Sequence, residues 1–309
     1  MRVLVSGASG LVGSALVDAL VRDEHRVARL VRPESASGKA PPEGQPTIEV
    51  RWDPVSGEFD AAAAEGADAV VHLAGASIGE RRWNAARKRL IRSSRIEATR
   101  HLVSALSKLA RPPRVFLCAS AMGYYGDRGD EELTEQSAPG NDFLAALARD
   151  WEAEAARAGQ FGARTAMLRF GLILSLRGGA LPRMLTPFRL GLGGRLGSGK
   201  QWMSWLTLSE AVGMIRYALA SAQVRGPVNA VTLNPVRNAE FTRILGRVLH
   251  RPTLLPAPAI ALRLALGEMA QALLLSSQRL VPRKLQECGY SYEQPELEAA
   301  LSVLLSRTG

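Results

Sequence analysis

The sequence predicts an α/β fold, a doubly wound and largely parallel sheet followed by a smaller, mostly helical region. Three observations carry that reading. Short β-branched runs alternate with helical stretches through residues 1–235, the pattern of strand–helix–strand units. The first run leads directly into Gly7-x-x-Gly10-x-x-Gly13 and opens a helix. Over residues 236–309 strands give way to helices broken by Pro252, Pro256, Pro258 and Pro282. The division expected is therefore a large domain at 1–235 and a small helical one at 236–309.

The opening run is Val3-Leu4-Val5-Ser6, and Leu11, Val12, Ala15, Leu16, Ala19 and Leu20 then recur at helical spacing. This is a strand–turn–helix suited to a pyrophosphate. Gly7 permits the tight turn, Gly10 lets backbone approach phosphate, and Gly13 lets helix pack on strand. The N–H groups around Ser9, Leu11 and Val12 face the anion at the helix N-terminus.

Residues 26–32 read as strand two. In an NAD-binding chain an acid ends this strand and bonds the ribose 2′-hydroxyl. Here Val31 is followed by Arg32, whose fork suits a 2′-phosphate, so the reading favours NADP. Residues 33–46, rich in Ser, Gly and Pro, form a surface loop. Strand three is 48–52. Two readings stay open for Asp53 after it: an acceptor for the adenine amino group, or a cap for the next turn. Strand four, 69–75, ends in Leu73, Ala74 and Gly75, small enough for close approach to an adenosine.

Residues 81–109 read as one long basic helix ended by Pro112-Pro113. Strand five is 115–120, followed by a turn at 121–127. A helix from about Asn141-Asp142 to Arg157 and a sixth strand at 165–174 come next. Five glycines in 190–200, with Trp202 and Trp205 just beyond, suggest a flexible loop that closes over a ligand. Residues 226–231 return a strand to the sheet, and the last helix spans 295–305.

The 309 residues carry a net charge of +10. The arginines read as scattered, apart from 81–100, and aromatics are few, so neither nucleic acid nor membrane is the expected partner. No apolar run suffices to span a bilayer; 257–275 comes nearest, broken by Arg263, Glu268 and Gln271. Cys118 and Cys288 show neither disulfide nor metal spacing, which fits a reducing, cytoplasmic compartment, and no metal is expected. The partner expected is a small-molecule substrate, with a homodimer left open.

Several strings are more specific: Leu73-Ala74-Gly75, Arg82-Trp83, Ser94-Arg95, Gly123-Tyr124-Tyr125-Gly126-Asp127, Trp151-Glu152, residues 187–194 and Asn238-Ala239-Glu240-Phe241. Through them, and over nearly its whole length, the chain resembles the extended or atypical short-chain dehydrogenases/reductases of the NAD-dependent epimerase/dehydratase type. More narrowly it resembles the "epimerase family" subgroup with a C-terminal domain of unknown function. The resemblance implies a Rossmann-type fold and NADP held by residues 7–13, Val31-Arg32, Leu73-Ala74 and Arg95. It also implies that the strand-six exit, 169 to Ile173, passes near the nicotinamide.

The wider superfamily works with Ser, Tyr and Lys, the last two one helical turn apart so that lysine steadies the phenolate. That pair is absent: the segment from Phe143 holds no tyrosine, and no lysine lies between Lys108 and Lys200. Ser120 ends strand five, but alignment on Tyr-Gly puts Ala121 at the usual serine position. Tyr124 and Tyr125 remain, as substitute acid/base groups or as packing residues. Two functions therefore stand: an NADP-dependent oxidoreductase or epimerase on an unidentified substrate, and a non-catalytic NADP-binding sensor or scaffold.

Overall fold

The computed structural model describes residues 1–35 and 47–306. The β-branched runs pair in parallel: β1 (Arg2–Ser6), β2 (Arg26–Val31), β3 (Thr47–Arg51), β4 (Ala69–His72), β5 (Val115–Ala121), β6 (Arg164–Phe170) and β7 (Gly226–Ala230). Their order across the sheet is β7-β6-β5-β4-β1-β2-β3, a Rossmann-type arrangement whose direction of winding reverses between β1 and β4.

Alternation along each strand builds two cores. Leu4, Val70, Phe116 and Met167 face one layer; Val3, Val5, Val71, Leu117 and Leu168 face the other. The second layer is closed by α1 (Leu11–Arg22) and by the helix Leu208–Ala220, which bury Leu16, Leu20, Met214 and Ile215. The first is closed by α2 (Ala85–Ser93), α3 (Ile96–Leu106) and α4 (Phe143–Ala156). Asp142 caps α4 by accepting from Ala145 N at 2.8 Å. A third core joins α5 (Leu181–Arg189), α6 (Asn238–Val248) and the helix Leu297–Ser306 through Phe188, Trp205, Phe241 and Leu301.

Three expectations change. The basic helix expected at 81–109 is two helices, α2 and α3, parted at Ser94-Arg95. Ser94 Oγ donates to Ile91 O at 3.1 Å and accepts from Ala76 N, while Arg95 Nη1 also reaches Ile91 O. Side chains thus compete for the carbonyls that would continue the helix. The sixth strand also stops early. A Cβ on Gly171 would sit 2.6 Å from Ser204 O, and beyond this crossing Leu172–Leu174 leaves the sheet to pair with Trp205–Thr207. The glycine loop at 190–200, expected to be free, is stitched down: Leu196 N donates to Asn238 Oδ1, Gly197 N to Ala257 O, and Ala257 N to Arg195 O. Of the loop expected at 33–46, Pro33–Ser35 is a single 3-10 turn; the remainder lies outside the described residues.

Candidate functional site

The winding reversal leaves a crevice beyond the carboxyl ends of β1 and β4, where the first turn meets Leu73-Ala74-Gly75. Gly7 has φ +66, and a Cβ there would lie 2.8 Å from Leu73 C and O. A Cβ on Gly13 would lie 2.1 Å from Gly7 O, so strand and helix touch backbone to backbone. Gly10 is the N-cap of α1 and brings no side-chain cap, and the first turn holds no acid. The N–H groups at that end are left for an anion.

A buried polar chain fixes the other wall. Ser6 Oγ accepts from Leu73 N and Ala74 N (3.1 and 3.3 Å) and lies 2.6 Å from His72 Nδ1. With its lone pairs so used, Ser6 gives its proton to Nδ1, which leaves Nε2–H of His72 to donate to Thr99 Oγ1 at 2.9 Å. Trp151 Nε1 donates to the same oxygen. Burial holds the His72 pKa down at about 3, with Arg95 adding to the effect, so the ring stays neutral and structural.

Arg95 lies against Gly75: a Cβ on that glycine would sit 3.1 Å from its Cζ. Its guanidinium donates to Ala76 O at 2.9 Å and stands 5.2 Å from the Trp151 ring. Among the described residues it has no carboxylate partner. Burial, then Arg87, brings its pKa down to about 10, still charged at neutral pH. A half-buried cation with two carbonyl partners and no acid is fitted for a phosphate oxygen.

The remaining nucleotide candidates are at the rim. Arg32 is exposed and 3.8 Å from Glu34. Asp53 caps its own turn, accepting from Val55 N and Ser56 Oγ at 2.8 and 2.7 Å; those bonds hold its carboxyl below the usual range. The capping alternative is thus met, and each carboxylate oxygen keeps a lone pair for a further donor. Val31 ends β2, and Ile173 follows the Gly171 crossing. Gly178 and Gly179 then bring the chain back over Leu11 at the start of α1.

A second network lies below β5 and β6. Ser120, Arg169 and Asn229 are register partners on three adjacent strands and point to the same face of the sheet. Glu152 comes down on them from α4. Arg169, 2 % exposed, donates Nε to Glu152 Oε1 and Nη2 to Oε2, both at 2.8 Å. Ser120 Oγ donates to Glu152 Oε1 at 2.6 Å. Tyr125 donates to Asn229 Oδ1 at 2.6 Å and accepts from Arg169 Nη1 at 2.8 Å. Burial lowers the Arg169 pKa, but the bidentate carboxylate outweighs it and holds the guanidinium above its usual value. Burial pushes the Tyr125 hydroxyl up to about 12. The Tyr124 ring covers Arg169, 3.4 Å from Cζ to centroid.

A family model described as "NAD dependent epimerase/dehydratase family" matches residues 3–230. The chain belongs to that family. A second model, a domain of unknown function, matches 257–304. Epimerase family protein Mb2239 of Mycobacterium bovis is 42% identical over 307 residues, covering 99% of this chain and 98% of its own. The crystal structure of human epimerase family protein SDR39U1 (isoform 2) with NADPH is 34% identical, with a TM-score of 0.87 and 99% of each chain covered. A nucleoside-diphosphate sugar epimerase from Corynebacterium glutamicum is 35% identical, with a TM-score of 0.79, covering 99% of this chain and 58% of that one.

Within this family chain, the network uses the hydroxyls of Ser120 and Tyr125. Both are buried and hydrogen-bonded to fixed partners, Glu152 and Asn229. Tyr124 keeps a hydroxyl with no hydrogen-bond partner among the described residues. Phe143 packs edge-on against Trp83, 5.3 Å between centroids. Glu152 and residue 169 stand in the strings and exit segment named above, but their pairing, and the part of Asn229, are not legible there. One signal was available: an arginine set in the apolar run 165–174 requires a buried counter-charge.

Proposed function

We propose that this chain binds NADPH and acts as an oxidoreductase or epimerase on an unidentified small molecule. The observation that carries the reading is the backbone contact of Gly7 and Gly13 under an uncapped helix N-terminus. The N–H groups of Leu11, Val12 and Gly13 hold the pyrophosphate, Gly10 N being engaged by Gly7 O, Arg95 takes a phosphate oxygen, and Arg32 takes the ribose 2′-phosphate. Leu73, Ala74 and Gly75 give the adenosine half a smooth wall. When bound, the nicotinamide supplies or accepts a hydride.

Tyr124 is the proton-transferring group of the three candidates, since its hydroxyl has no competing partner. Arg169 fixes the plane of its ring. The relatives support the reading: the human protein was crystallised with NADPH, and the C. glutamicum protein is named a sugar epimerase. Cys118 and Cys288 are both free thiols, which supports a reducing, cytoplasmic setting.

One observation favours the sensor or scaffold reading: the Tyr–Lys pair is missing and two of the three hydroxyl candidates are tied into structure. The test uses stereospecifically deuterated NADPH with a panel of carbonyl substrates. Loss of label that Tyr124→Phe abolishes supports catalysis. NADPH binding with label retained on every substrate supports the sensor, and no calorimetric heat with NADPH on folded protein overturns both.

A further inference from the structure

Two stretches of the chain lack acids altogether. No Asp or Glu occurs between Glu154 and Glu210, nor between Glu240 and Glu268. In sequence the arginines of these stretches look dispersed; the fold brings them to one face. Ala257 N donates to Arg195 O, and Gly197 N to Ala257 O. Arg251 Nε donates to Arg189 O at 3.1 Å, and a Cβ on Gly194 would overlap Leu255 O. The glycine loop and the segment that leads into α7 (Ala259–Leu266) thus form a single surface.

That surface is both apolar and basic. Leu254, Ile260 and Leu264 are 83%, 71% and 74% exposed, and Leu190, Leu192 and Leu255 stand out beside them. Helix α7 has no fully buried residue: Ala259, Leu262 and Leu266 are partly covered, and its other five residues are exposed. Arg189, Arg195, Arg251 and Arg263 are exposed around it, and none has a carboxylate partner among the described residues. Exposed aliphatic side chains clustered to this extent on a folded chain mark a contact surface.

We propose that this face docks peripherally on an anionic lipid surface, with α7 lying in the headgroup region. The charge decides the occupant. A twofold contact with a second copy would set these guanidiniums against copies of themselves, with no acid in either stretch to pair them. Phosphodiester headgroups supply the missing negative charge, and a largely exposed aliphatic helix finds its apolar surroundings just beneath them. No described helix is long and apolar enough to cross a membrane, so the contact is with the surface only.

The test is co-sedimentation of the full chain with vesicles of equimolar phosphatidylcholine and phosphatidylglycerol, against vesicles of phosphatidylcholine alone. The expected result is binding to the anionic vesicles only, weakening as salt is raised. Arg195→Gln/Arg263→Gln reduces it about fivefold for each arginine removed. Ile260→Glu/Leu264→Glu abolishes it while circular dichroism and the melting curve are retained, because both side chains are exposed. Wild-type protein left in the supernatant overturns the proposal. So does equal binding to neutral vesicles, binding by the Glu variant, or a solution dimer that this variant splits.

Discussion

Glu152→Gln isolates the largest buried electrostatic unit of the site. Glu152 now receives three hydrogen bonds on two oxygens, two from Arg169 at 2.8 Å and one from Ser120 at 2.6 Å. Glutamine keeps the shape but turns one oxygen into a donor. An N–H₂ then faces either the Nε or the Nη2 of Arg169, and a guanidinium 2 % exposed loses its counter-charge. Breaking a buried pair from one side costs about 3–5 kcal/mol. At about 2–4 °C per kcal/mol for a domain approaching this size, the midpoint falls by roughly 6–20 °C. Calorimetry or urea denaturation reads the loss. Glu152→Leu/Arg169→Met is the control: with no charge left behind, it is less destabilised than the sum of the two single changes. A Glu152→Gln chain within about 1 kcal/mol of wild type would refute the reasoning, for Arg169 would then be hydrated rather than held.

Further expectations concern the crevice. Gly13→Ala drives a methyl to 2.1 Å from Gly7 O, so it costs about 1–3 kcal/mol and removes measurable NADPH binding in calorimetry; unchanged affinity would show that the turn does not carry the phosphates. Arg95→Met weakens NADPH about 10- to 100-fold, the share of a charge-assisted bond, with the protein still folded by circular dichroism. Arg32→Asp weakens NADPH far more than NADH in fluorescence titration, and equal effects would remove the 2′-phosphate assignment. His72 makes stability pH-dependent. Its pKa is about 3 folded against 6.5 unfolded, so the unfolded chain binds more protons between these values. The contribution is complete above about 6.5 and is lost as pH falls toward 3, by about 1.4 kcal/mol per unit. His72→Gln flattens that slope in a pH series of urea melts.

Much of the architecture is written locally. The β-branched runs, the glycine spacing at 7, 10 and 13 and the alternation with helices depend on neighbours a few residues apart, which is why they can be read in order. The want of a Tyr–Lys pair is equally legible, because that chemistry demands fixed spacing on one helix. Phe143 and the gap from Lys108 to Lys200 settle it without coordinates. Where local propensity misleads, a long-range contact is responsible. Ser94 and Arg95 break a continuous helical pattern because Ala76 and Gly75 lie beside them, and Gly171 ends a strand because Ser204 crosses it.

By itself, then, the sequence determined the sheet, the glycine turn after β1 and the want of a tyrosine–lysine spacing in the segment from Phe143. Tertiary structure alone decided which hydroxyls are free. Ser120, Tyr125, Glu152, Arg169 and Asn229 span more than a hundred positions and meet only because three strands stand in register. It also decided that dispersed arginines share one face with bare leucines. Charge and apolar area act through distance in space, and distance along the chain does not measure it.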